Sequence, residues 1–529
     1  MPNFIPYDLN QNTMIVINFR DQLQRGTFEH AINHLIENKL DLSIFDDAYK
    51  NDNNGRPAYN PAVLLKIILF AYSKGITSSR EIQWCCERNI TFKALSCDTV
   101  PHYTTIASFV SSHPTSVHDI FEQIVLTCYQ EGLIGNELFA IDGCKLPSDA
   151  AKEWSGTFKE LTEKRNKIKR QISEHMERHS AYDLAEENEH NEVAIKRTEQ
   201  AINTLEKAFD KIDDFLKTAE PRQGEGKRKK EVKSNITDNE SAKMATSNGI
   251  IQGFNALTSA DKKHQVVTDA QVFGSGPEQH TLNPIIEAIR ERFERLDIPA
   301  DFSPNGIIIT ADTGFSSESN MEILYEEGLN AYVPDNQFRS RDDKLKGQKA
   351  KHKHPNQVKN RKEKRNKKPA IFSADEFIFD PDHLTCQCPS GEQISLRQQA
   401  EDKHGNQKIF FEGRLSQCRS CHLKADCMRN PASANHSKGK GRQVSFIIKE
   451  AKHKPNFTDW MKERIDTVEG KQIYSHRMSV IEPVFGNICS NKKLNRFSLR
   501  GKEKVQSQWQ LYCIVHNIEK LMNYGELAA

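Results

Sequence analysis

The chain has 529 residues, 37% hydrophobic and 28% charged, which is enough apolar material for cores that need no disulfide staples and, at about 100–200 residues per domain, for roughly three or four domains. No apolar run approaches the roughly 18–20 residues of a membrane span, and Met1-Pro2-Asn3-Phe4-Ile5 lacks the basic start and apolar core of a signal peptide, so neither an integral membrane protein nor a secreted one is expected. Lys+Arg (74) and Asp+Glu (72) nearly cancel, and that balance alone predicts no polyanion partner; the basic charge is nevertheless gathered in particular segments.

Residues 1–135 read as helical. Asn60-Pro61 starts a helix, Asn as the cap and Pro in the first turn, with Val63, Leu64, Ile67, Ile68 and Ala71 as its apolar stripe and Gly75 as its end. Ser78-Ser79-Arg80-Glu81 has the pattern of a capping box for a second helix. A further helix follows Pro114, with Val117, Phe121, Ile124, Val125 and Cys128 on one face. Residues 137–142, Glu-Leu-Phe-Ala-Ile-Asp, predict a buried strand ending in a carboxylate. Residues 155–220 predict a charged helical hairpin in which Ile202, Leu205, Phe209, Ile212 and Leu216 repeat at three and four residues; an antiparallel arm packed on itself is the reading preferred over a dimerising coiled coil.

Strand character returns at 250–255 and 264–268, followed by a helix near 281–296 with Leu282, Ile285, Ile286, Ile289 and Phe293 on one face. Gly306-Ile307-Ile308-Ile309-Thr310-Ala311-Asp312 predicts a second buried strand ending in a carboxylate, and after a Thr313-Gly314-Phe315 turn come a helix through Asn320 to Glu327 and a short strand at 331–334. The order is that of an α/β sheet with helices interleaved, a class in which chemistry collects where strands end. Residues 339–368 hold 14 Lys/Arg against Asp342, Asp343 and Glu363; so dense a cluster suits phosphate contact, a solvated linker being the plainer alternative. Residues 455–525 are helical and basic, with Lys492, Lys493, Arg496, Arg500, Lys502 and Lys504.

Three carboxylates carry the candidate chemistry. Asp142 and Asp312 each follow an apolar strand, where an acid is costly unless it meets a cation. Brought together they would repel, and a hard divalent ion such as Mg²⁺ or Mn²⁺ resolves that repulsion; two such ions support phosphodiester chemistry. A helix cap or turn residue is the plainer reading of either Asp. Glu482 sits between Ile481 and Pro483-Val484 in an apolar run, for which a salt bridge with Arg477 is the alternative account.

The assembled pattern resembles the DDE transposases of bacterial insertion sequences along nearly the whole chain. Gly55-Arg56-Pro57-Ala58-Tyr59-Asn60-Pro61, Gly75-Ile76-Thr77-Ser78-Ser79-Arg80-Glu81-Ile82 and Pro101-His102-Tyr103-Thr104-Thr105-Ile106 resemble the family's N-terminal domain, with His102 where an acid is usual. Ile141-Asp142-Gly143, Thr310-Ala311-Asp312-Thr313-Gly314-Phe315 and Ile481-Glu482-Pro483-Val484-Phe485-Gly486 followed by Arg500-Gly501 resemble the three catalytic motifs. The resemblance implies a mixed α/β, RNase H-like (retroviral-integrase-like) catalytic core with an N-terminal helical domain, a helical-hairpin insertion and a small cysteine-rich insertion. It assigns Asp142, Asp312 and Glu482 as a Mg²⁺- or Mn²⁺-holding catalytic triad. It offers Tyr474 and Arg477 as contacts to the backbone of the element's ends, with Lys492, Lys493, Arg496 and Arg500 as further DNA contacts. The spacing departs from the Y-R-E-K signature: four residues separate Arg477 from Glu482, and the signature's Lys position falls on Cys489.

Of the twelve cysteines, Cys85, Cys86, Cys97, Cys128 and Cys144 are expected to pack as small apolar groups, while Cys386, Cys388, Cys418, Cys421 and Cys427 share one segment. Cys388, Cys418, Cys421 and Cys427 are the preferred ligands of a structural Zn²⁺, with Cys386 and His422 as alternatives and reduced, unliganded thiols as the other reading. The expected organisation is 1–135 helical and DNA-end-binding, 136–154 the first part of the catalytic domain, 155–233 hairpin and basic linker, 234–338 catalytic, 339–370 basic loop, 371–450 cysteine-rich and 451–529 C-terminal helices carrying the third acid. The expected protein hydrolyses the phosphodiester at an element's end and transfers the 3′-OH strand into target DNA, as a homo-oligomer on DNA, without a membrane, in the bacterial cytoplasm at the nucleoid. The competing readings are an RNase H-like nuclease without strand transfer, an inactive copy that only binds DNA, and a coiled-coil and zinc scaffold.

Overall fold

The computed structural model describes residues 17–49, 57–183, 189–224, 229–246, 249–342, 371–401, 407–436, 439–448 and 456–526. The chain divides into two compact units, Met1–Asn336 with Met461–Ala529, and Gln337–Trp460. Both are built from helices and sheets, so the fold is mixed α/β.

Six helices open the first unit: α1 (Phe28–Asn38), α2 (Pro61–Ser73), α3 (Ser79–Arg88), α4 (Ile90–Ser96), α5 (Tyr103–Ser112) and α6 (Pro114–Gln130). The Asn60 side chain accepts the Ala62 N–H at 2.8 Å, and Pro61 occupies the first turn, so α2 starts as its sequence predicts. Its environment differs from a one-sided stripe. Every residue from Leu64 to Tyr72 is buried, Lys66 included, whose ammonium joins Glu37. Each fully buried aliphatic side chain there contributes about 1.5–3 kcal/mol, which makes α2 the centre of this bundle. Gly75, at φ +74°, stops the helix in the left-handed region; a Cβ there would stand 3.2 Å from the Lys492 carbonyl oxygen. Ser78 is the N-cap of α3, but its hydroxyl makes no capping bond, so the sequence pattern of a capping box is present without its bonds. Cys97 is exposed at φ +50°, contrary to the expectation that it packs inside, whereas Cys86 and Cys128 are fully buried.

The sheet of this unit comprises β1 (Leu138–Pro147), β4 (Ala242–Thr246), β5 (Gly249–Asp261), β6 (Val267–Phe273), β7 (Ile308–Ala311) and β8 (Ala331–Tyr332), with β2 (Ser155–Gly156) and β3 (Ser234–Asn235) forming a separate small pair. The long strand β5 pairs antiparallel with β1 along one edge and with β4 and then β6 along the other. On its far side β1 pairs parallel with β7, and β7 parallel with β8. Two sequence expectations change here. The strand expected to end at Asp142 continues to Pro147, because β5 is long enough to pair with it as far as Pro147↔Gly253. The strands expected at 250–255 and 264–268 are instead one 13-residue strand and β6.

Between β1 and β4 runs the hairpin of α7 (Phe158–Asp183) and α8 (Glu189–Thr218). Phe158 meets Phe215, Arg165 pairs with Asp213 at 2.8 Å and His179 with Glu199 at 3.5 Å, so the helices are antiparallel and close on each other around Leu161, Ile168 and Ile212. Helix α9 (Leu282–Arg295) buries Leu282, Ile285, Ile286, Ile289 and Phe293, the face its spacing predicts. After α10 (Glu318–Glu326), the unit is completed by α11 (Val468–Phe485), a π-helical turn at Gly486–Asn491 and α12 (Lys502–Tyr524). Helix α11 packs on β1, β5, β7 and β8, and α12 packs on β6 and on α1, α2, α5 and α6. Stacked Tyr72 and Tyr512 rings, 4.8 Å apart, join the N-terminal bundle to α12.

The second unit is a five-stranded antiparallel sheet in the order β13 (Gln443–Ile448), β12 (Gln407–Glu412), β11 (Gln393–Glu401), β10 (Thr385–Gln387), β9 (Ile378–Asp380), with helical turns at Leu415–Ser420 and Lys424–Cys427. Phe377, Cys386, Ile394, Ile409, Phe411 and Val444 form its core. The basic stretch 339–370 lies outside the described residues from residue 343 onward. No helix among the described residues is long and apolar enough to cross a membrane.

Candidate active site and thiol cluster

The site is set by strand register. The parallel pairing of β1 with β7 runs from Leu138↔Ile308 to Ile141↔Ala311, and the next residue on each strand is an acid. Asp142 and Asp312 therefore stand side by side although they are far apart in sequence. Asp142 Oδ1 accepts its neighbour's N–H, from Gly143, at 2.8 Å; Asp312 Oδ1 accepts the N–H of Thr313 at 2.6 Å, capping the turn that follows. Gly143 matters to this arrangement, because a Cβ there would come 3.0 Å from Asn255 Oδ1 and from Leu257 Cγ. The Gly of the Asp-x-Gly turn has a similar reason: a Cβ on Gly314 would run into the Glu278 carboxylate, and Glu278 in turn pairs with Lys145 of β1 at 3.3 Å.

Arg477 reaches both acids from α11. Its Nη1 is 2.8 Å from Asp142 Oδ2 and its Nη2 is 3.8 Å from Asp312 Oδ1. Burial raises the Asp142 carboxyl above its usual range; the Arg477 guanidinium and the Gly143 N–H pull it back, and Asp312 pushes it up again. Burial also works against the Arg477 charge, but Asp142, Tyr474 and Asp312 more than offset it and hold the guanidinium charged. The guanidinium lies 5.8 Å from the Tyr474 ring centre, and its Nε is buried with no hydrogen-bond partner.

The third acid is placed differently. Arg477, Val480, Ile481 and Val484 form the buried face of α11, and Glu482 is exposed on another face. The structure thus joins Asp142 and Asp312 through Arg477 and does not bring Glu482 to them. Among the described residues, no three His, Cys, Asp or Glu side chains are grouped so as to hold a metal ion.

The basic residues expected to meet DNA divide sharply. Lys492 is 2% exposed and its ammonium is held by Glu519 at 2.6 Å and Asn487 Oδ1 at 3.0 Å, so it is an internal ion pair and not a surface contact. Lys493 is exposed, with its stem against Gly75. Arg496 and Arg500 are exposed and share Asp149, at 3.2 and 2.9 Å. Cys489, at the Lys position of the signature, instead shares a hydrogen bond with Cys144, the side chain two residues beyond Asp142, with Cys513 beside them. This thiol trio was missed in the sequence because its members come from three separate elements.

In the second unit, Cys388, Cys418, Cys421 and Cys427 line one cavity of about 30 Å³. Cys388 opens a tight turn in which its N–H donates to Glu392 O and its carbonyl accepts from Gly391 N–H. Burial pushes the Cys427 thiol up to about 11; Arg442 pulls against that, and the neighbouring Cys418, Cys388 and Cys421 thiols add to it. Of the two alternative ligands, Cys386 points into the hydrophobic core, and His422 does not line the cavity.

Two family models match parts of the chain. Residues 387–522 match the transposase DDE domain, and residues 17–112 match a transposase domain (DUF772). The two matches together support a DDE-type insertion-sequence transposase. The first match contains the thiol segment, Arg477 and Glu482; the second contains α1 to α5. A transposase DDE domain implies an enzyme of the nuclease/transferase kind with DNA as its substrate. No curated protein and no solved structure matches the chain.

Proposed function

We propose that this transposase cuts the phosphodiester at the ends of its element and transfers the freed 3′-OH strand into target DNA, with Asp142, Asp312 and Glu482 as its catalytic acids. The observation that carries the reading is the β1/β7 register, which sets Asp142 beside Asp312 on the surface of a mixed sheet. The order β6-β5-β1-β7-β8, antiparallel on one side of β1 and parallel on the other, supports an RNase H-like core. The two carboxylates suit a hard divalent cation: both are oxygen donors, they repel each other, and a cation, the Arg477 guanidinium, already bridges them. When bound, Mg²⁺ or Mn²⁺ would make a water or a 3′-hydroxyl nucleophilic and stabilise the leaving oxygen of an in-line displacement. Around that chemistry, Asp142 and Asp312 hold the charge, Gly143 keeps the strand close-packed, and Lys493, Arg496 and Arg500 offer exposed cations to phosphates. Tyr474 and Arg477 lie on the helix that carries Glu482. The helical N-terminal region binds element ends, the protein works as an oligomer on DNA in the bacterial cytoplasm, and Cys388, Cys418, Cys421 and Cys427, which line one cavity without being drawn together as ligands in this state, would close on a structural Zn²⁺.

The test is a strand-transfer assay with the element's labelled ends, a supercoiled target and Mg²⁺, beside Asp142→Asn. Joined products that disappear with Asp142→Asn are expected. Cleaved but unjoined ends would replace this reading with a nuclease, and DNA binding without metal-dependent chemistry would replace it with an inactive copy.

A further inference from the structure

Helix α11 presents Arg477 to the acid pair and Glu482 to solvent, and the geometry of a helix explains why it does not present both. Five residues at about 100° each place the two side chains roughly 140° apart around the axis. The face that buries Arg477, Val480, Ile481 and Val484 therefore turns Glu482 outward. Two half-buried carboxylates need a compensating cation, and in this state Arg477 supplies it, 6% exposed and in reach of both. Exchanging Arg477 for a divalent ion together with Glu482 would leave the formal charge of the cluster unchanged.

The helix is weakened just past Glu482. Pro483 lies inside it and has no N–H to give to the Ser479 carbonyl, which instead accepts from Gln265 Nε2 at 3.5 Å. The chain then passes directly into the π-helical turn Gly486–Asn491, a kind of irregularity that lets a helix shift its facing. The turn bearing Glu482 thus lacks the helical bond that would span it, and the chain just beyond it runs into a π turn.

We propose that Arg477 is an internal counter-ion that holds the Asp142/Asp312 pair in a metal-free resting state, and that a divalent ion displaces it as the Ser479–Asn491 segment re-faces to bring in Glu482. The proposal rests on the reading of Asp142 and Asp312 as metal ligands. Arg477 is then a positioning residue, and metal entry and guanidinium release are one equilibrium.

The test measures Mn²⁺ affinity of the full-length protein without DNA, by calorimetry and by the electron paramagnetic resonance of free Mn²⁺. Arg477→Gln removes the competitor and is expected to bind Mn²⁺ about ten-fold tighter or more, the equivalent of one charge-assisted hydrogen bond. Arg477→Lys, charged but unable to bridge both acids, is expected between the two. Hydrogen exchange of the wild-type peptide spanning 477–491 is expected to change when Mn²⁺ is added, a readout that stands even if Arg477→Gln does not fold. Equal or weaker Mn²⁺ binding by folded Arg477→Gln, with Asp142→Asn abolishing it, would overturn the counter-ion role while sparing the metal site. Mn²⁺ binding indifferent to Asp142→Asn would overturn the metal-site reading and the counter-ion role with it. Unchanged exchange across 477–491 at saturating Mn²⁺ would overturn the displacement.

Discussion

Lys492 looks in the sequence like one more cation of a DNA-facing run, and its surroundings predict the opposite behaviour on mutation. Its ammonium is 2.6 Å from Glu519 and 3.0 Å from Asn487 Oδ1, and Asn487 Nδ2 itself donates to Glu519 at 2.7 Å. Burial pulls the Lys492 ammonium below its usual value and Glu519 holds it up. Lys492→Met keeps the stem packed and removes only the charge. Breaking one partner out of a buried pair costs about 3–5 kcal/mol, and because the Glu519 side chain is 24% exposed, so that water reaches it, the lower end, about 3 kcal/mol, is expected. Urea unfolding followed by tryptophan fluorescence should show the transition of the first unit at lower denaturant. Where the protein remains folded, the salt dependence of DNA affinity should match wild type, whereas Lys493→Ala should lower the slope by about 0.9 if it meets a phosphate. Wild-type stability in Lys492→Met together with a reduced salt slope would refute the assignment of Lys492 as structural.

Two further predictions come from titrating groups. His516 is fully buried with Nε2 donating to the Gln265 carbonyl and Nδ1 accepting from Asn487 Nδ2, and burial lowers it from 6.5 to about 3. The unfolded chain takes up a proton below 6.5 and the folded one does not until about 3, so stability should fall as pH drops through that window, by at most about 1.4 kcal/mol per pH unit. His516→Gln should flatten this dependence between pH 6.5 and 5, and parallel curves for the two proteins would count against it. For the thiols, metal-replete protein should carry about one zinc per chain and expose Cys97 to alkylation while protecting Cys388, Cys418, Cys421 and Cys427; chelation should open those four and leave Cys128 and Cys513, buried and with raised thiols, unreactive until unfolding. Identical labelling with and without chelator would remove the zinc site.

What the sequence makes legible follows from how local each determinant is. Caps and apolar spacing locate α2, α6 and α9 because those signals lie within a turn or two of the residue they govern. The adjacency of Asp142 and Asp312 is a matter of strand register, which no local signal encodes; resemblance suggested it, and the pairing Ile141↔Ala311 supplies the physical reason. The continuation of β1 was hidden because Gly143-Cys144-Lys145 has little apolar character and is held by its partner β5. The sheet of the second unit was hidden too: β11 is exposed at nearly every position, so no alternation marks it. Glu482 is the instructive case. Its apolar neighbours suggested burial, yet 477, 480, 481 and 484 already trace the i, i+3, i+4, i+7 face of a helix, and Glu482 lies off it.

The same distinction between a charge and its surroundings sorts the basic run that follows. Phe497 N–H donates to Pro147 O at 2.9 Å, so this segment is pinned to the end of the strand that carries Asp142. Arg496 and Arg500 hold the next two residues, donating to Ser148 O at 3.2 Å and to Asp149 O at 2.8 Å, and both share the single Asp149 carboxylate. One carboxylate cannot neutralise two guanidinium groups, so the cluster keeps a positive excess. Both side chains are more than half exposed, at 55% and 54%, and ion pairs of that kind contribute about 0–1 kcal/mol, so a phosphate can replace Asp149 at little cost. Lys492 has no such freedom, since leaving Glu519 would strand a charge in the interior. Arg496 and Arg500, held by backbone carbonyls just past the end of β1, are therefore cations available to a polyanion close to the strand that carries the first acid.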